Sequence, residues 1–358
     1  MVKEFINYIA DPIVSFPITT IGFFLMLKYY KEFGTKKFIS WFSIISVLIF
    51  GWACTDPNFL AIILWPDNIP ISILMVCVIF FQWYSFHKAA ENDNRIEAGE
   101  VPVEATPEER EKVWCWPNLV YTELFTIIAG TIFLTVWAIV FKAPLEEPAN
   151  PTWAPNPAKA PWYFLGLQEM LVYFDPWIAG ILFPIFIILG TSAIPYMDIN
   201  KKGDGYYSFK ERRVGVFIFM YGWVALWLYL IVIGTFFRGP NWNFYGPFEW
   251  WDPHKLVALN NVNLSEYVWV YMLGQETPSN ILLRESVGFI LVFGYLFVLP
   301  IILSQTWLKN MYNSYGPVRY AFLCMFGLTM LSLPIKMFLR WTINLKYIVY
   351  IPEWFFNI

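Results

Sequence analysis

Long unbroken apolar stretches dominate this chain and leave few folds open to it. Runs near residues 14–30, 38–54, 70–86, 119–141, 177–197, 214–237, 286–304 and 319–339 approach or exceed the ~20 residues a helix needs to cross about 30 Å of hydrocarbon. None alternates apolar with polar residues, as the strands of a membrane barrel must. Backbone N–H and C=O groups in lipid have to be satisfied within their own segment, so each run is read as a helix. The expected fold class is all-α: a polytopic membrane protein with about eight transmembrane helices. Segment 59–65 is too short to span. Only 14% of residues are charged, against about 25% in soluble domains. Nineteen Trp and 21 Tyr suit the aromatic belts at the two headgroup levels. The net charge of -3 argues against a nucleic-acid partner. The expected environment is a lipid membrane, crossed many times.

Basic residues set the orientation. Loops 28–37, 87–117, 198–213 and 305–319 fall on one side and carry 15 of the 24 Lys and Arg. That side is expected to be cytoplasmic. The opposite, periplasmic side then receives the segment around 142–175, the loop 238–285 and both termini. No removed signal peptide is read in "MVKEFINYIADP". The expected organisation is a three-helix module over 1–87, an acidic cytoplasmic linker over 88–114, a central domain over 115–240, and a C-terminal part over 241–358. That last part holds an aromatic periplasmic loop and two further spans.

Most familiar chemistries find no residues here. The chain has two histidines, His87 at the cytoplasmic end of the third run and His254 in a periplasmic loop. A membrane-embedded bis-histidine haem needs two facing helices, so this chain alone is expected to ligate no haem, and no metal site is read. Cys54, Cys77, Cys115 and Cys324 stand far apart, without a CxxC or CxxCH spacing, and read as small helix residues. There is no GxSxG, no triad and no phosphate-binding glycine loop; "KKGDG" (201–205) reads as a turn. Glu123, Asp198, Asp56 and Asp67 sit near the ends of runs and read as interfacial.

One loop stands out. Pro144, Pro148, Pro151, Pro155, Pro157 and Pro161 stiffen the segment before "PWYFLGLQEMLVYF". Pro161 can open a short helix. Trp162, Tyr163 and Phe164 then fill its first turn, and Glu169, seven residues after Trp162, shares a face with it. A helix lying flat at the periplasmic interface could roof a pocket for a flat apolar ring, held by aromatic walls. An interfacial anchor helix is the other reading of the same residues.

Residues 114–237 resemble the C-terminal domain of cytochrome b, in the form of subunit IV of plastoquinol–plastocyanin reductases. "CWPNLVYTELF" (115–125) resembles that domain's "WPNDLLY". "EPANPTWAPNPAKAPWYF" (147–164) resembles its "EPADP…PEWYF", with the same number of residues between the two motifs. The resemblance implies a membrane subunit of a quinol:cytochrome c oxidoreductase, not active alone, in the energy-transducing inner membrane of a bacterium. Its implied partners are a haem-bearing cytochrome b N-terminal subunit, a Rieske iron–sulfur protein and a c-type cytochrome, which carry the haems and the cluster; a dimeric complex is compatible with it. The loop would form one wall of the quinol oxidation site, with Pro161, Trp162, Tyr163 and Phe164 lining the pocket.

The chain departs from the family at one position. Where the family has Pro-Glu-Trp-Tyr, this sequence has Ala160-Pro161-Trp162-Tyr163. The family's glutamate is thought to take a proton from quinol, and Pro161 cannot. Proline-containing variants resemble menaquinol-using versions, so menaquinol is the expected substrate. Glu169 is the candidate replacement base, although it lies roughly 12 Å further along the helix; Tyr163 is the candidate hydrogen-bond donor to the ring oxygen. Pro352-Glu353-Trp354 matches the family's letters better, but it follows the last span without the companion motif and reads as an interfacial tail. A non-redox structural subunit that anchors other redox proteins is the rival expectation. A transporter is disfavoured by the uniformly apolar runs.

Overall fold

The computed structural model describes residues 1–106, 113–140, 148–199 and 205–358. Pro144, Glu147, residues 107–112 of the expected linker and most of the "KKGDG" turn lie outside the described residues.

The described residues are mostly helical, consistent with an all-α polytopic membrane protein. The main helices are α1 (Val2–Ala10), α2 (Pro12–Lys28), α3 (Lys36–Ala53), α4 (Asn68–Glu97), α5 (Val120–Val140), α6 (Trp162–Met170), α7 (Ile178–Met197), α8 (Arg213–Phe237), α9 (Ser286–Gln305) and α10 (Lys309–Ile343). Seven of them, α3, α4, α5 and α7 to α10, are long and apolar enough to cross a membrane. The run expected near 14–30 forms α2, which meets α1 at 77°; the pair is apolar enough to count as a broken span or a re-entrant loop. The bend falls at Asp11-Pro12. Proline fits the first turn of a helix but cannot sit in its interior without losing a backbone bond, and the Asp11 carboxylate accepts the Ile13 N–H at 2.9 Å.

Two further boundaries differ from the sequence reading. The third run does not stop at residue 87: α4 continues to Glu97, through ten residues expected to be linker. "KAAENDNRIE" contains neither Gly nor Pro, and the helix ends just before Gly99, whose φ is +80°. In α10, Gly316 adopts φ +78° and breaks the helix ahead of Pro317. A left-handed residue cannot continue an α-helix, and Pro317 then starts the second segment.

The chain divides into two compact units. One comprises Met1–Lys28, Asn156–Lys201 and Arg212–Ile358; the other comprises Tyr29–Pro155 and Lys202–Glu211. The second unit is pinned at buried Asp93. Its carboxylate accepts from Tyr30 Oη at 2.7 Å, Ser208 Oγ at 2.5 Å, and the backbone N–H groups of Phe209 and Lys210 at 3.1 Å. Four donors satisfy a charge that burial would otherwise penalise by several kcal/mol.

In the first unit α8 is the central element. Tyr229, Leu230, Ile231 and Ile233 are buried on it. Segments 156–175, 238–263 and 344–358 meet at one end of its helices. Lys159 donates to the Thr235 carbonyl (2.7 Å), Lys346 to the Leu171 and Val172 carbonyls (both 3.2 Å), and Arg340 to that of Asn260 (3.2 Å). The C-terminal tail is tied to the same end. Tyr350–Ile351 and Phe356–Asn357 pair as a small antiparallel hairpin. Arg284 grips Glu353 with two bonds of 3.0 and 2.9 Å, and the Phe356 ring stacks on Trp177 with centroids 5.2 Å apart.

Candidate functional site

Helix α6 is short because its composition allows one buried face and little more. Pro161 stands at its N-cap in an extended conformation, with φ -52° and ψ 149°. Leu165, Gly166, Glu169 and Met170 form the buried face, at i, i+1, i+4 and i+5 spacing. That face lies on α8. The crossing is close because two glycines meet there. A Cβ on Gly166 would stand 3.4 Å from Ile231 Cγ1, and one on Gly234 would stand 3.3 Å from the Leu165 carbonyl oxygen.

The Pro-rich loop is stapled to α6 by Gln168. Its Oε1 accepts from the Ala160 N–H and its Nε2 donates to the Ala158 carbonyl, both at 2.8 Å. Further back, Asn156 and Asn241 exchange two bonds of 3.0 and 2.6 Å. The loop is thereby held in place by polar side chains rather than by an apolar core.

Glu169 is fully buried. Arg238, immediately past α8, approaches it edge-on. Nε lies 2.9 Å from Oε2 and Nη2 lies 2.6 Å from Oε1. Nη1 of the same guanidinium donates to the Trp242 carbonyl at 3.0 Å. Tyr173 donates a longer bond, 3.4 Å, to Glu169 Oε1. Burial first, and then the neighbouring Glu169 charge, push the Tyr173 phenol well above the usual tyrosine range. Both carboxylate oxygens are therefore engaged, and no part of Glu169 reaches the surface.

The aromatic first turn has the opposite character. Trp162 is 40% exposed, and Tyr163 and Phe164 are each 51% exposed. Trp162 and Tyr163 pack edge to face at 5.7 Å between centroids, and Tyr163 and Phe164 tilt together at 4.7 Å. The Tyr163 hydroxyl has no partner among the described residues. Pro161 leads directly into this turn. The structure thus brings Pro161, Trp162, Tyr163 and Phe164 together as one apolar platform, and it places Glu169 beneath the helix against Arg238.

Sequence reasoning missed Arg238, Gln168 and Tyr173. A signal for the first was present. Glu169 is the one carboxylate between Glu147 and Asp175, and Arg238 the one Lys or Arg between Arg213 and Lys255. A lone acid and a lone base at the ends of adjoining apolar runs must each find a partner in a low-dielectric setting.

The two histidines have their own local partners. His87 Nδ1 is 2.8 Å from the Gly34 carbonyl oxygen and its ring stacks on Trp83. The His254 N–H donates to Asp252 at 2.9 Å. Among the described residues no group of three or more His, Cys, Asp or Glu side chains is placed to hold a metal ion, and all four cysteines are free. Asp198 pairs with Arg212, and Asp56 caps the helix Pro57–Ile63 by accepting from Asn58 N at 2.9 Å. When the chain is compared with known proteins, no protein family, no curated protein and no solved structure matches it.

Proposed function

We propose that the chain is the haem-free membrane subunit of a quinol:cytochrome c oxidoreductase, and that the first turn of α6 forms part of one wall of its quinol oxidation site. The observation that carries the reading is the division of α6 into two halves. Its C-terminal half is locked into the protein by the Glu169–Arg238 pair. Its N-terminal half presents three exposed aromatic rings with no charged side chain among them. A rigid uncharged aromatic platform suits a flat apolar ring, which it holds by stacking and dispersion without desolvating an ion. Tyr163 supplies one hydroxyl for a ring oxygen.

On this reading Glu169 is the anchor of the platform and not an open base. A proton acceptor must come within about 3 Å of the quinol oxygen, or one water from it, and the sealed pair offers no such approach. The proton leaves through water or a group on a partner subunit. The charge count supports a periplasmic position for the platform, and the resemblance supports a bacterial inner membrane. The resemblance supports menaquinol as substrate and a cytochrome b N-terminal subunit, a Rieske protein and a c-type cytochrome as partners.

The test is photo-crosslinking in native membranes with an azido-menaquinone. Adducts on the peptide containing Trp162–Phe164, displaced by excess menaquinol, are the expected result. Labelling confined to other chains, with Trp162→Ala leaving quinol:cytochrome c turnover unchanged, would leave the non-redox anchoring role in its place.

A further inference from the structure

The last turns of α10 and the segment after it gather three cations that form no ion pair with a carboxylate among the described residues. Lys336 and Arg340 stand one turn apart on α10, and Lys346 follows its left-handed cap at Asn344. Lys336 is 1% exposed. Its ammonium donates to the Lys346 carbonyl at 2.6 Å and lies over the Phe174 and Tyr347 rings at 5.5 and 5.9 Å. Arg340 donates to the carbonyls of Asn260 (3.2 Å) and Asn344 (3.0 Å) and to Asn261 Oδ1 (2.6 Å). Lys346 donates to the carbonyls of Leu171 and Val172. Every acceptor is neutral. The nearby carboxylate, Asp175, makes no ion pair with any of them and accepts from Asn357 Nδ2 at 2.9 Å.

Neutral carbonyls and ring faces soften three positive charges but do not cancel them. Buried charge is tolerated when it is paired. Glu169 and Glu285 in this same protein follow that rule, paired with Arg238 and Arg284; the α10 cations do not. The cluster also lies at the end of a helix long and apolar enough to cross a membrane, and headgroups are expected where such a helix ends. Its open side is at Lys346, which is half-buried. The neighbouring apolar side chains Leu171 and Ile343 are 39% and 42% exposed. A cationic seat with an apolar rim matches an amphiphile with an anionic head.

We propose that this end of α10 is a binding site for a phosphate-bearing anion, carried by the headgroup of an anionic phospholipid. The phosphate sits against Lys346 and Arg340. Lys336 contributes from beneath through its charge, and the acyl chains run from the rim along the outer face of the bundle. The site is independent of the quinol reading.

The experiment uses the full chain, purified in a neutral detergent and stripped of lipid. Phosphatidylglycerol, phosphatidylcholine and inorganic phosphate are added separately, and thermal unfolding and native mass spectrometry are recorded. Phosphatidylglycerol should remain bound and raise the unfolding temperature, and phosphatidylcholine should not. Lys336→Met keeps the stem and removes the unpaired charge; Lys346→Gln does so at the rim. Each should fold, lose most of the phosphatidylglycerol gain, and bind that lipid about fivefold less tightly per charge removed. Lys309→Gln, at the far end of α10, should keep the gain. Equal gains from both lipids, or an undiminished gain in Lys346→Gln, would overturn the proposal. An equal gain from inorganic phosphate alone would assign the seat to a soluble anion and overturn the lipid assignment.

Discussion

Arg238 holds both oxygens of Glu169, with Nε 2.9 Å from one and Nη2 2.6 Å from the other, and so closes a bridge between the loop helix α6 and the end of α8. Neither group is near the surface: the Glu169 side chain is 0% exposed and that of Arg238 is 11% exposed. A sealed pair of this kind contributes less through its own attraction than through the cost of breaking it.

That asymmetry sets the first prediction. Arg238→Met leaves a buried carboxylate without its counter-charge and should destabilise the folded chain by about 3–5 kcal/mol. Glu169→Leu should cost a similar amount by stranding the guanidinium. The double variant removes both charges and should be more stable than either single one. Denaturant unfolding in detergent, followed by circular dichroism, gives the three values. A double variant as unstable as the sum of the singles would show that the two residues act separately.

The pairing also bears on pH. Tyr173 is buried beside Glu169, and its phenol is raised well above the ordinary value of 10.0. Below that value the phenol is neutral in both the folded and the unfolded chain, and its contribution to stability is constant. Above it the unfolded chain loses the proton while the folded chain keeps it, so this contribution falls as pH rises toward the folded value. Tyr173→Phe removes the group while keeping the ring, at the loss of the 3.4 Å bond to Glu169. The alkaline limb of the stability curve should flatten by up to about 1.4 kcal/mol per pH unit. Unchanged slopes in the two proteins would refute the assignment.

Helix existence was legible in the sequence because a 20-residue apolar run in lipid has one way to satisfy its backbone. Helix limits were less so. α4 outruns its apolar stretch because "KAAENDNRIE" is helix-competent in water, and hydropathy alone ends at the lipid boundary. At the candidate site, the aromatic turn of Trp162, Tyr163 and Phe164 was visible from composition. The burial of Glu169 was not, because heptad spacing placed it on the face of Trp162 while the contact with α8 covers only the later turns. Its partner lies 69 residues away. Such a pairing depends on tertiary contact, although the isolation of Glu169 and Arg238 among apolar residues was a usable sign.

The close crossing of α6 on α8 gives a steric prediction. A Cβ at position 234 would stand 3.3 Å from the Leu165 carbonyl oxygen, which is backbone and cannot swing away. Gly234→Ala should therefore shift α6 outward and destabilise by about 1–3 kcal/mol. Gly294, with nothing within 4 Å of its would-be Cβ, is the control. Gly294→Ala should be neutral or slightly stabilising, because alanine is the better helix former. Thermal unfolding of the two variants side by side checks the difference.

Orientation can be read by labelling. With the four native cysteines replaced by alanine, a cysteine at exposed Thr152 should react with a membrane-impermeant maleimide from the periplasmic side. A cysteine at Ala98, next to the end of α4, should react only after the membrane is opened. The reverse pattern would put the aromatic platform on the cytoplasmic face, where a quinol oxidation site of the proposed kind does not belong.

The platform itself makes the final prediction, in which stability and activity should separate. Trp162 and Tyr163 are exposed, make only ring contacts among the described residues, and lie outside the Glu169 anchor. Trp162→Ala and Tyr163→Phe should each change folding stability by no more than about 0.5 kcal/mol, as surface substitutions usually do. If the first turn of α6 is a wall for quinol, Trp162→Ala removes a stacking surface worth about 0.5–1.5 kcal/mol beyond area burial. The apparent affinity for quinol should then fall several-fold in the assembled complex. Tyr163→Phe keeps the ring and removes the hydroxyl, so it should lower turnover more than affinity. Quinol:cytochrome c turnover in membranes, measured against quinol concentration with assembly checked by haem absorbance, separates the two effects. An assembled Trp162→Ala complex with unaltered kinetics would reduce the exposed rings to an interfacial anchor, because an aromatic residue at the headgroup level needs no ligand to explain its place.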